Sequence, residues 1–164
     1  ITLLRAFNAI KERIPHNLVF KASANDYWNN TIMPYIRENG LQSRVILIDG
    51  NLNRNQMDRL YSEADLFVSP SEMEGFGMTP IEAAMSRVPV ICNALDTLVE
   101  STRGLVEYYS PSRDYEALSC KILEVLAKRG SMDLESIASR FRKHYSTATQ
   151  AGRFIELFQA VSKH

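Results

Sequence analysis

The sequence is short of the features that mark several protein classes. Its 164 residues include only two cysteines and three histidines. Cys92 and Cys120 match no zinc or redox spacing, so two buried, reduced thiols are expected. His16, His144 and His164 have no acid or thiol beside them at ligand spacing, so no metal site is expected. An excess charge of one sign is also missing. The 19 Lys and Arg balance the 19 Asp and Glu, which argues against a bulk electrostatic grip on nucleic acid. No apolar run approaches the roughly 20 residues of a membrane span, and no basic-then-apolar leader opens the chain. Repeats, linkers and low-complexity segments are absent. Ile1 opens directly into a helical pattern, so the sequence reads as a piece of a longer protein. Reduced thiols without a leader or a span suit a cytoplasmic setting.

What is present suits one soluble domain over residues 1–164, with 45% apolar and 23% charged residues. Helical and strand-like segments alternate. Leu4, Phe7 and Ile10 space one helix face, and Trp28, Ile32, Tyr35 and Ile36 a second that ends near Gly40. Met57, Leu60, Tyr61 and Ala64 mark a third. Residues 18–20, 45–48, 66–68, 88–92 and 105–109 are apolar runs of strand length. They are continuous rather than alternating, the mark of strands covered on both faces. Strand and crossover helix at this spacing predict a doubly wound parallel α/β sheet. Beyond about residue 113 only helices are expected, carried by Tyr115 to Val125, Leu134 to Tyr145 and Phe154 to Val161. Trp28 reads as a packing residue. Arg140, Arg142, Lys143 and His144 read as a solvated basic face, with contact to anionic lipid the minor alternative.

Ligands of such sheets bind beyond the carboxyl ends of the strands. The loop and helix at residues 69–85, SPSEMEGFGMTPIEAAM, carry the richest chemistry in the chain. Gly75 and Gly77 flank Phe76. Thr79 suits a helix N-cap and Pro80 the first helical position, which would leave the amides of Gly77, Met78, Thr79 and Ile81 at a positive helix end. Glu74 precedes the glycines, and Glu82 follows eight positions later in the first helical turn. That is the physics of a phosphate site. The same residues also spell a plain capping box, Thr79 to Glu82, after a tight glycine turn, and local physics does not separate the two. Glu72 reads as an exposed loop charge.

The stretch EADLFVSPSEMEGFGMTPIEAAMSRVPVI resembles the donor-site signature of glycosyltransferase family 4. It matches in the order Ala64-Asp65, Pro70-Ser71, Glu74, Phe76-Gly77, Glu82 and Pro89-Val90. Residues 44–65 resemble the preceding strand, glycine loop and helix of the same family, and Glu100 falls near a glutamate often found there. The resemblance implies the Rossmann-like C-terminal half of a GT-B fold, with extra C-terminal helices, in a retaining enzyme. It implies that Glu74 contacts the transferred sugar and that Glu82 binds the ribose. Amides around Gly75, Phe76, Gly77, Met78 and Thr79 would hold the diphosphate, and Gly50, Asn51 and Leu52 would line the base pocket. The donor would be a UDP-sugar or GDP-sugar, with no other cofactor and no metal. The acceptor, a glycan or lipid-linked molecule, would be held by a second domain, and a peripheral contact with the inner membrane face is compatible with such chemistry.

The sequence departs from that pattern at two places. The family's first strand of this domain, and the basic pair in the loop after it, would precede Ile1. A sheet with a gap, weak nucleotide binding and no transfer by this piece alone are therefore expected. The family's glycine before its proline-valine strand is replaced in Ser86-Arg87-Val88-Pro89, so Arg87 must adopt a left-handed conformation or the helix must end differently. The residues Ala94 to Leu98 lack a glycine-rich turn, which weakens any expectation of sugar contacts there. The alternative from a different class is a non-catalytic Rossmann-like scaffold or interaction module. A generic receiver or flavin-binding domain accounts for neither Glu74 nor Glu82.

Overall fold

The computed structural model describes residues 1–162. Five strands run in chain order as β1 (Leu18–Lys21), β2 (Val45–Ile48), β3 (Phe67–Ser69), β4 (Val90–Asn93) and β5 (Glu107–Tyr109). Eight α-helices intersperse them: α1 (Thr2–Ile10), α2 (Met33–Glu38), α3 (Arg54–Ser62), α4 (Met78–Met85), α5 (Asp96–Ser101), α6 (Tyr115–Lys128), α7 (Leu134–His144) and α8 (Thr147–Val161). A π-helical turn, Trp28–Ile32, leads into α2.

All strand pairs are parallel, as the unbroken apolar runs predicted, but they form two sheets rather than one. β1 pairs with β2, and β4 lies between β3 and β5. Among the described residues no strand lies between β1 and β3. A common core joins the two sheets. Leu18 and Phe20 of β1 and Val68 of β3 pack with Leu3, Ala6 and Ile10 of α1 and with Leu118, Ile122 and Val125 of α6.

The two sheets differ in cover. In β4 every residue is buried. Ile91 faces the cluster of α1 and α6, while Val90 and Cys92 face Tyr61 of α3, Ile81 of α4 and Phe141 of α7. This sheet is doubly wound. The sheet of β1 and β2 is covered on one face only, by Leu4 and Phe7 of α1 with Trp28, Ile32 and Ile36. On its other face Val19 and Ile46, partners in the parallel register, are 41% and 44% exposed. The expectation of cover on both faces therefore fails for these two strands. Trp28 is a core residue, 7% exposed and edge-on to Phe20.

Helix ends follow one device. α2 ends with the amide of Leu41 on the Ile36 carbonyl and that of Gly40 on Arg37, the paired closure of a left-handed cap. α4 and α5 close in the same way, but with arginine in the left-handed position: Arg87 at φ 64° and Arg103 at φ 57°. Arg87 thus takes the conformation a glycine would have suited, at a cost of roughly 1–2 kcal/mol. Helix α5 itself was not foreseen. Its six residues bury only Leu98 and Ser101, too few to write a periodic pattern.

Cys92 is buried and Cys120 is exposed on the outer face of α6, which corrects the expectation of two buried thiols. Burial, followed by the nearby Glu74 carboxylate, pushes the Cys92 thiol from 9.0 up to about 12. Burial likewise pushes the Tyr109 phenol from 10.0 up to about 12. Both groups keep their proton in the folded chain at pH values where the unfolded chain has lost it. Their contribution to stability is therefore complete below about pH 9 and falls as pH rises toward 12. Urea melts between pH 7 and 11 should show the midpoint dropping above pH 9. A midpoint that stays level to pH 11 would show that these groups titrate freely. In the native protein at pH 8 a thiol reagent should label Cys120 and spare Cys92.

Candidate functional site

The loop that leaves β3 is anchored from the two neighbouring strands. Asn93, at the end of β4 and 1% exposed, donates through Nδ2 to the Ser71 carbonyl at 3.0 Å and to Ser112 Oγ at 2.8 Å. Ser112 returns its hydroxyl proton to Asn93 Oδ1 at 3.0 Å. Beyond β5, Arg113 grips Glu72 with Nε at 2.8 Å and Nη2 at 2.7 Å. That guanidinium holds the Glu72 carboxyl below the ordinary carboxylate range. Glu72 is thus an exposed loop charge, as expected, and is paired with Arg113. The start of the loop is fixed to the ends of all three strands of this sheet.

The loop then meets α4 at Gly77, which sits in the left-handed region at φ 81° and ψ 53°. A Cβ here would overlap Leu98 Cδ2 of α5 and would lie 3.6 Å from Glu74 Cγ. Glycine is thus required on two counts, by conformation and by space. Gly77 is the N-cap, and α4 starts at Met78. This corrects two expectations: Thr79 is the second helical residue and not the cap, and Pro80 is the third and not the first. No side chain caps the helix, so the capping-box reading of Thr79 and Glu82 fails as well.

The consequence is chemical. An α-helix leaves its first amides without an internal partner. Among the described residues nothing accepts from the amides of Gly77, Met78 or Thr79. Pro80 adds no donor. Met78 and Thr79 are exposed, and Gly77 is buried. A positive helix end whose first N–H groups have no partner is suited to a phosphate or diphosphate. Ile81, expected as a fourth donor to the ligand, is 1% exposed and packs into the core.

The two expected carboxylates flank this helix end. Glu74 lies over the Gly77 backbone, close enough to Cys92 to influence its thiol. Glu82, one turn inside α4, is half-buried and accepts the hydroxyl proton of Tyr61 at 3.1 Å. Burial and this carboxylate push the Tyr61 phenol well above its ordinary value, so it stays a donor. Tyr61 is a site residue that periodicity assigned only to a core face. Gly75 and Phe76 form the exposed crest of the loop, with Phe76 edge-on to Tyr145 at 5.9 Å.

Gly50, Asn51 and Leu52 lie beyond β2. Gly50 has φ 81°, its amide donates to Asp49 Oδ1 at 2.8 Å, and its carbonyl accepts from Lys21. Asn53 and Gln56 then form a reciprocal capping box on α3, a signal readable in N-x-x-Q but not used. No hydrogen bond among the described residues joins residues 50–52 to the loop at 70–79. The structure brings Glu74, Gly75 to Thr79 and Glu82 around one helix end and places Gly50 to Leu52 at the end of the other sheet. The described residues hold no group of three His, Cys, Asp or Glu able to ligate a metal.

The family described as Glycosyl transferases group 1 matches residues 1–144. O-antigen chain mannosyltransferase B of Escherichia coli is 33% identical over 101 residues, 60% of this chain and 26% of that protein. The lipopolysaccharide core biosynthesis mannosyltransferase LpsB of Rhizobium meliloti is 35% identical over 65 residues, 40% of this chain and 18% of that protein. Among solved structures, a glycosyltransferase from Rickettsia africae superposes with a TM-score of 0.81 at 23% identity, covering 99% of this chain and 44% of that one. Anabaena Alr3699/HepE, solved in complex with UDP and glucose, gives 0.76 at 18% identity, covering 97% and 44%. These structures share the Rossmann-like parallel α/β fold of GT-B glycosyltransferases. The chain spans about a quarter or less of the length of these two curated relatives.

Replacing Gly77 by alanine should cost about 1–2 kcal/mol from backbone conformation alone, with the Leu98 overlap adding to it. Thermal melts of Gly77→Ala, Leu98→Ala and the double variant close a cycle that separates the two contributions, because Leu98 is 0% exposed and its truncation has a cavity cost of its own. The double variant should be less destabilised than the sum of the single variants by the part due to overlap. An unchanged melting temperature in Gly77→Ala would contradict the left-handed assignment.

Proposed function

The chain belongs to the group 1 glycosyl transferases, and on that premise we propose that it binds the nucleoside-diphosphate sugar donor of a retaining, family 4 enzyme. The observation that carries the proposal is the bare N-terminus of α4, opened by left-handed Gly77 between Glu74 and Glu82. In this reading the Gly77, Met78 and Thr79 amides hold the diphosphate. They stabilise the charge that grows there as the sugar departs. Glu82, oriented by Tyr61, accepts hydrogen bonds from the ribose hydroxyls. Glu74 faces the sugar and stabilises its positively charged, oxocarbenium-like transition state. Gly50, Asn51 and Leu52 offer backbone groups to a uracil or guanine base. No metal takes part, and the sugar leaves with retention at the anomeric carbon.

A glycan or lipid-linked acceptor and a second domain to hold it complete the proposal. The similarity to mannosyltransferases of O-antigen and lipopolysaccharide assembly supports that acceptor class. Peripheral contact with the cytoplasmic membrane face belongs to the same proposal. Its basic contribution falls to Arg140 and Lys143, because Arg142 is bound to Glu135 and to the Met85 carbonyl. No described helix is long and apolar enough to cross a membrane.

Ligand-observed NMR with UDP, GDP and ADP tests the donor site. One nucleotide should bind, and Glu82→Ala should weaken it by about tenfold, the scale of a hydrogen bond to a charged group. Tyr61→Phe should weaken it a few-fold, by roughly 1 kcal/mol, because Glu82 loses one orienting bond. Glu74→Gln should leave nucleotide binding intact and abolish sugar transfer in the enzyme carrying both domains. Failure of that enzyme to bind any of the three nucleotides would leave the scaffold reading in place.

A further inference from the structure

Beside the crest of the donor loop lies a second cleft, of about 430 Å³, whose walls include Phe76, Glu100 and Arg103, with His144, Tyr145 and Arg153 completing it. Its hydrogen bonding does not close on itself. Arg103 Nη1 and Arg153 Nη1 each lie 3.1 Å from His144 Nε2, and Arg153 Nη2 lies 2.9 Å from His144 Nδ1. A guanidinium only donates, and a neutral imidazole has a single acceptor nitrogen. At least one arginine N–H is therefore aimed at another N–H. Neither Arg103 nor Arg153 forms an ion pair among the described residues, although Glu100 borders the same cleft. Of the other polar groups on the wall, the Tyr145 hydroxyl donates to the Ser101 carbonyl at 2.5 Å, the Ser101 hydroxyl donates to the Leu98 carbonyl and the Gln150 amide donates to the His144 carbonyl. Burial, then Arg103 and Arg153, holds His144 below its ordinary value, as expected where positive charge is crowded without an anion.

We propose that this cleft is an anion site for a phosphate or phosphate monoester, gripped by Arg103 and Arg153 with His144 as the third donor. Two guanidinium forks converging on one point suit a tetrahedral, multiply charged oxyanion. The edge-to-face pair of Phe76 and Tyr145 offers an apolar wall to the organic part of an ester. The cleft shares Gly75 and Phe76 with the crest of the loop, but its arginines come from other elements, the turn after α5 and helix α8, so it stands whether or not the donor proposal does. Because the anion adds negative charge beside His144, binding is coupled to proton uptake on that ring. Affinity rises as pH falls through the range where His144 is neutral in the free protein and charged in the complex. The other titratable or charged groups around the ring are Glu100 from α5, Arg103 from the turn after it, Tyr145 after α7 and Arg153 from α8.

The test follows the ring signals of His144 by NMR, with His16 as the internal reference. Sulfate serves as an anion of constant charge and inorganic phosphate as the proposed group. Both should shift His144 and raise its pKa while His16 stays in place. Arg103→Gln and Arg153→Gln should each weaken binding by about tenfold, the scale of one lost charge-assisted hydrogen bond. Because Arg153 lies on an exposed helix face, its variant keeps the test decisive should Arg103→Gln unfold. Arg153→Gln should leave UDP or GDP binding unchanged, which separates this site from the donor site. Vesicles of phosphatidylglycerol, compared with phosphatidylcholine, decide the source. Capture through the same arginines assigns a lipid headgroup, and an effect of free phosphate alone assigns a soluble ester. If His144 responds to neither anion, or responds equally in both arginine variants, the proposal is overturned.

Discussion

The donor loop depends on one close approach, that of the Gly77 backbone to the Leu98 side chain. The left-handed residue turns the chain abruptly from the loop into α4, and the absence of a Cβ lets α5 pack directly beneath the turn. Had Thr79 capped the helix, its oxygen would have consumed an amide that the ligand needs. Glycine as N-cap supplies the turn and leaves the amides bare. Leu98 lies at 0% exposure, so the turn rests on a packed surface rather than on solvent. The elements around it serve the same geometry. Asn93 and Arg113 fix the upstream end of the loop, while Tyr61 fixes the carboxylate one turn downstream.

The divided sheet is held by side chains rather than by a continuous ladder. Helix α1 is the joint. Its Leu3, Ala6 and Ile10 enter the cluster shared with β4, Tyr109 and α6, whereas Leu4 and Phe7 enter the cluster that covers β1 and β2. Apolar burial is non-directional and tolerates an interrupted ladder more readily than backbone hydrogen bonding does. The sheet of β3, β4 and β5, doubly covered and anchored, carries the candidate site. The sheet of β1 and β2 carries only residues 50–52 and keeps one apolar face open.

The sequence made the parts with strong local signals readable. The apolar runs around Val45 and Val90 announced parallel strands, and the glycine pair between Glu74 and Glu82 announced a turn into a helix. What stayed hidden lacked a periodic or compositional mark. Helix α5 is too short for a face to repeat. The cap of α4 was misplaced because Thr-Pro is a strong helix-start signal, yet the buried Leu98 forced the turn two residues earlier onto Gly77. Asn93 falls just past the apolar run of residues 88–92, and only its position opposite Ser71 and Ser112 reveals its role. The gap in the sheet follows from the resemblance, whereas the exposure of Val19 and Ile46 is a tertiary fact that no local window contains.

Three arginines, Arg87, Arg103 and Arg113, occupy left-handed backbone at φ 64°, 57° and 71°. Each forgoes roughly 1–2 kcal/mol that glycine would not. Each also meets a distant side chain: Arg87 reaches Glu135, Arg103 reaches His144 and Arg113 reaches Glu72. Exposed pairs of this kind contribute about 0–1 kcal/mol, which does not offset the strain. The contact of Arg103 is not even attractive, since its partner is an imidazole already crowded by Arg153. Stability therefore does not account for arginine at these positions, and geometry does for two of them. Arg113 secures the root of the donor loop at Glu72, and Arg103 lines the cleft against its crest at Phe76. Arg87, which closes α4 at the far end from Gly77, touches no group of the candidate site, and nothing in the structure explains arginine there.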